Sequence, residues 1–90
     1  MTEFSQQQIE SIRHTVSVWD QSTSIKRATE ELMELCLALL HFDRNKATIN
    51  DVLNEMADVK IALKHLEIKF GCYQTQLNEK VIKGQVPPDV

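Results

Sequence analysis

The residues of this chain best equipped for chemistry are two acidic pairs. Glu31 and Glu34 stand three positions apart, and so do Glu55 and Asp58. On a helix, positions three apart share a face, so each pair would present two carboxylates side by side. Like charges at that spacing are mildly destabilising. One such pair is ordinary solvated surface; two of them in 90 residues call for a compensating cation. An all-oxygen donor set suits Mg²⁺ or Mn²⁺, and Mg²⁺ commonly keeps water or substrate phosphates in the rest of its shell. A carboxylate-bridged iron site would instead use Glu-x-x-His on the helices. None of His14, His41 or His65 stands three residues after a Glu, so iron is disfavoured.

Carboxylates act together only if rigid elements hold them in register. No Gly or Pro occurs between Met1 and Phe70. Strand-rich folds of this length need frequent turn residues, so the expectation is an all-α domain. Ser5 with Gln8 forms a capping box and Phe4 with Ile9 has the spacing of a hydrophobic staple, which predicts a first helix with Ile9, Ile12, Val16 and Trp19 on one stripe. A second helix is expected from about Ser24 to His41, its apolar surface so broad (Leu32, Leu35, Leu39, with Met33, Cys36 and Leu40 beyond) that it should be buried. Cys36, in that apolar run, is expected to pack as a reduced thiol.

Asp43 to Ala47 reads as a charged loop, and Thr48 with Asp51 as an acidic capping box opening a third helix to about Phe70. Gly71 is placed to end it in a left-handed conformation. A weaker fourth helix is predicted from Tyr73 to Lys83. The expected architecture is a small bundle of about four helices, residues 1–84, with a central antiparallel helix hairpin and a tail at 85–90. A hairpin through the Asp43–Ala47 loop would set the two acidic pairs opposite each other. Ninety residues bury a modest core, and both central helices carry more apolar surface than one neighbour needs, so completion by oligomerisation is expected.

Composition narrows the function. Ten Lys plus Arg against thirteen Asp plus Glu give a net charge of −3, the wrong sign for a general nucleic-acid binder. No apolar run approaches the roughly 18–20 residues that span a bilayer. The polar N-terminal stretch is unlike a secretory signal, and two separated cysteines make neither a disulfide framework nor a zinc site. A cytoplasmic protein is expected.

In combination, Glu30, Glu31 and Glu34 followed by Glu55 and Asp58 form E-E-x-x-E and then E-x-x-D. This pattern resembles the signature of the MazG-type all-α nucleoside triphosphate pyrophosphohydrolases, over roughly Trp19 to Lys83. The resemblance implies Mg²⁺-dependent cleavage of a (deoxy)nucleoside triphosphate to monophosphate and pyrophosphate by a metal-activated water, in a homodimer or homotetramer. It implies that Glu31, Glu34, Glu55 and Asp58 bind metal and that Glu30 or one of these four takes the proton from water. Arg27, Lys80 and Lys83 are candidate phosphate contacts, although Lys83 stands where the family often carries Arg. Trp19 is a candidate for stacking on the base, with a core position as the alternative. Asn54, His41, Lys60, Lys64 and Lys69 are expected to be solvated. The rival reading is a non-catalytic helical oligomer that binds a protein partner or a nucleotide.

Overall fold

The computed structural model describes residues 4–82, all-helical with no strand among them. Lys83 and the expected tail at 85–90 lie outside the described residues. Four helices follow in order: α1 (Gln6–Val18), α2 (Gln21–Asp43), α3 (Ile49–Phe70) and α4 (Gln74–Ile82).

The helix starts are written in local side-chain chemistry. At α1 the Ser5 hydroxyl accepts from the Gln8 N–H at 3.1 Å, and the Gln8 amide oxygen accepts from the Ser5 N–H at 2.7 Å. Thr48 and Asp51 repeat the exchange at α3, at 3.1 and 2.8 Å. These bonds satisfy backbone donors that a helix leaves orphaned at its start. The second helix begins earlier than its apolar periodicity indicated: Asp20 is the N-cap, accepting from the Thr23 N–H at 2.7 Å. The polar run Gln21–Ser24 is therefore the first turn of α2 and not a break before it.

The end of α2 also differs from the expected plain loop. The Lys46 N–H donates to the His41 carbonyl at 2.7 Å and the Asn45 N–H to the Phe42 carbonyl at 3.0 Å, with Asn45 at φ 61°. This is a Schellman closure in which Asn takes the left-handed position usually given to Gly. It extends α2 to Asp43 and leaves a short connection to α3. Gly71 does end α3, at φ 118° and ψ 169°. That combination lies beyond the left-handed helical region that was expected and is essentially confined to Gly.

The core forms where α3 packs against α2 and α1. Ile12 and Val16 of α1, Ala28 of α2, and Val59 and Ala62 of α3 are buried, with the polar Ser24 and His65. Small residues at 28 and 62 let the central helices approach closely. Trp19, just past α1, meets His65 edge-on, with ring centroids 5.1 Å apart and planes at 88°. The Lys69 ammonium donates to the Trp19 carbonyl at 2.7 Å. Lys69 therefore ties the α1–α2 junction to α3 instead of standing on a solvated face. Lys64 likewise pairs with Glu67 at 3.1 Å, both partly buried, and Lys60 lies over the Phe4 ring at 5.4 Å. Two burial expectations are corrected. Cys36 is exposed, and within one chain α2 buries only Ser24 and Ala28. Leu35 is partly buried, while Leu32, Leu37, Leu39 and Leu40 stay about half-exposed beside the one neighbour that α3 supplies. Every residue of α4 is exposed.

Candidate metal centre

The sequence placed four carboxylates on two helices, and the fold brings them together. One carboxylate oxygen from each of Glu31, Glu34, Glu55 and Asp58 lies within 4.8 Å of the others. Two come from α2 and two from α3, and the regular helix supplies the three-residue spacing within each pair. Glu31 and Glu55 are partly buried while Glu34 and Asp58 are exposed. The cluster thus has an inner and an outer pair of oxygen donors.

The inner pair carries the electrostatic tension. Glu31 Oε2 and Glu55 Oε2 are buried and accept no hydrogen bond. Leaving a buried acceptor unpartnered costs free energy, and more so when the group is charged. Both carboxyls have raised pKa values. For Glu31, desolvation is the main cause, followed by repulsion from Glu34 and Asp58, with Arg27 working in the opposite direction. For Glu55, desolvation again comes first, then repulsion from Glu34 and Asp58.

A positive charge, Arg27, pairs with the cluster at its edge. The Arg27 guanidinium lies 3.5 Å from Glu30 and 3.8 Å from Glu31. The Glu30 pair is exposed on both sides, and such ion pairs contribute little. Glu30 turns toward Arg27 and is not part of the four-carboxylate group. Lys80 sits on the exposed α4, with no described contact to the carboxylates. Trp19 is half-buried and packs edge-on against His65.

The donor set fits a hard divalent cation. Ligand oxygens on opposite sides of an octahedral Mg²⁺ shell are about 4.2 Å apart, twice the usual bond length. A 4.8 Å cluster is a few tenths of an ångström more open than that. Rotation of the two exposed side chains could close the gap. No sulfur or imidazole ligand belongs to the cluster, which weighs against the softer metals.

Two clefts flank the carboxylates. One, of about 480 Å³, runs from Glu34 and Glu55 toward the α2–α3 connection and is lined by Leu37, Ala38, Lys46 and Asn54. The other, of about 290 Å³, runs from Glu31 and Asp58 in the opposite direction, to Arg27 and His65. Residue pairing along the helices explains the order: His41 shares a cleft with Asp51, and Arg27 with His65. Sequence reading missed His65 at this site, whereas Asn54 is exposed as expected and also borders the larger cleft. His65 has no local signal, because its surroundings come from other elements.

Compared with protein-family models, with curated proteins and with solved structures, the chain matches none. Among the described residues, no helix is long and apolar enough to cross a membrane.

Proposed function

We propose that this protein is a Mg²⁺-dependent (deoxy)nucleoside triphosphate pyrophosphohydrolase of the MazG type. The observation that carries the reading is the convergence of Glu31, Glu34, Glu55 and Asp58, with two buried carboxylate oxygens that have no donor in the protein. These four residues would hold Mg²⁺, or Mn²⁺ in its place. The chemistry such an ion supplies is neutralisation of phosphate charge and acidification of water. The chain's own residues supply the rest. Glu31 Oε2 and Glu55 Oε2 are the atoms placed to accept a cation or a proton, and the low-dielectric flank of the helix pair strengthens both interactions. Arg27 can turn from Glu30 to a phosphate, since its present pair is solvated and weak. Lys80 and Lys83 would join only from another part of the assembly or after α4 moves.

The central α2–α3 pair is read as an antiparallel hairpin within a homodimer or homotetramer. Leu32, Leu37, Leu39, Leu53 and Met56 are each about half-exposed in one chain. Contiguous apolar surface of this kind marks an interaction site, and a second copy would complete the core. The same surface is what favours the rival, a non-catalytic interaction module.

The test is incubation with a panel of NTPs and dNTPs plus Mg²⁺, with pyrophosphate and monophosphate both measured. Equimolar release of the two products, abolished by chelation, is the expected outcome. No release from any nucleotide, with no Mg²⁺-dependent thermal shift, would establish the interaction module instead.

A further inference from the structure

The two clefts beside the carboxylates differ in chemistry. The larger has apolar walls at Leu37 and Ala38 and an amide at Asn54, with the exposed His41 and Lys46 toward the α2–α3 connection. The smaller is bounded by a guanidinium, an imidazole and the carboxylates Glu31 and Asp58. At about 290 Å³ it lies at the lower limit for small-molecule pockets and suits a compact, polar group.

His65 makes this cleft more than a gap between side chains. It is 8% exposed. Its ring packs edge-on against Trp19, with the planes at 88°. No hydrogen bond to another residue is found for it among the described residues, yet its nitrogens are not sealed off as Ser24 Oγ is. His65 lines this cleft. A polar ring more than nine-tenths buried, without a hydrogen-bond partner and lining a cleft, calls for a partner there. Arg27 stands at the same cleft with its side chain 53% exposed, paired loosely with Glu30 and Glu31 at 3.5 and 3.8 Å, and its guanidinium has the geometry to bind an oxyanion bidentately.

We propose, building on the function above, that the Arg27–His65 cleft is the subsite for the pyrophosphate end of the triphosphate, with His65 hydrogen-bonding a phosphate oxygen. The substrate then lies along the groove between α2 and α3. Its terminal phosphates point toward Arg27 and His65, the scissile region crosses the carboxylates, and the nucleoside lies toward the α2–α3 connection.

Calorimetric titration with inorganic pyrophosphate in Mg²⁺, set beside titration with nucleoside monophosphates, tests this. His65→Phe keeps a ring against Trp19 and removes both nitrogens. Arg27→Met changes an exposed side chain and leaves the core intact, so it tests the cleft even if the His65 variant folds poorly. Each is expected to weaken pyrophosphate binding about tenfold or more, the value of a hydrogen bond to a charged group, with monophosphate binding changed less than about twofold. His65→Gln should restore part of the loss. Unchanged pyrophosphate binding in both variants, or a loss confined to monophosphate, overturns the subsite while leaving the enzymatic reading intact. A wild-type protein that binds no pyrophosphate with Mg²⁺ overturns both.

Discussion

The same functional group meets opposite fates in two regions of this molecule. Asp20 and Asp51 cap α2 and α3, and each accepts a backbone N–H at 2.7–2.8 Å. Their pKa values are lowered, chiefly by those backbone bonds to Thr23 and Thr48. Glu31 and Glu55, in the middle of the same helices, have raised pKa values and a buried oxygen each without a donor. The capping carboxylates stabilise the fold as ionised groups. The central ones oppose it until a proton or a cation arrives. A helix centre offers no free N–H, so a carboxylate buried there must find its partner elsewhere. That difference separates acids whose ionised form supports the fold from acids whose ionised form opposes it.

The comparison breaks most visibly in activity. Glu55→Gln or Asp58→Asn should lower nucleotide hydrolysis on the order of 100-fold or more, the upper range for disturbing a metal site. Asp51→Asn, equally a loss of one charge, should stay within about twofold of wild type. Steady-state pyrophosphate release measured side by side decides the matter. Equal losses in both regions would mean that net charge, and not the cluster, matters.

A smaller effect sharpens the comparison in the metal-free protein. For Glu31 and Glu55 the folded value lies above the ordinary 4.5, so the folded state binds more protons between the two. Their stabilising contribution is fully present below about 4.5 and is lost as pH rises through the raised values. For Asp20 and Asp51 the folded value lies below 3.8. Their contribution is present above 3.8 and is lost as pH falls through the depressed values. Melting in chelator should therefore give a Tm that rises as pH falls through the raised values toward 4.5. Glu55→Gln should flatten that rise and lift Tm at pH 7. Asp51→Asn should leave the rise intact, lower Tm by a roughly constant amount above about pH 4 and flatten the acid limb below it. A Glu55→Gln profile parallel to wild type would show the cluster to be relaxed and solvated.

How much of this was legible beforehand follows the range of each interaction. The caps at Ser5 and Thr48 are local, so the spacing of a few residues disclosed them. So was the acidic constellation, because three-residue spacing on uninterrupted helices is itself geometry. Asp20 was one of several polar residues able to cap the second helix, and the apolar period, which begins later, did not single it out. The Schellman closure at Asn45 was hidden because Asn, not Gly, takes the positive φ. His65 and Lys69 were beyond reach for a different reason. Their partners, Trp19 and the Trp19 carbonyl, lie 46 and 50 residues away in the chain, and no spacing rule connects them. The exposure of Cys36 and the α2 leucines likewise depends on where α3 and α1 fall, which periodicity alone does not specify.

The most direct test of the central claim, that the four central carboxylates are held for a divalent cation, is calorimetric titration of the metal-free protein with Mg²⁺ at pH 7, with Glu55→Gln and Asp51→Asn in parallel. The account predicts saturable binding of at least one ion per chain in wild type and in Asp51→Asn, and its loss in Glu55→Gln. No saturable binding in wild type, or equal binding by Glu55→Gln, would contradict it.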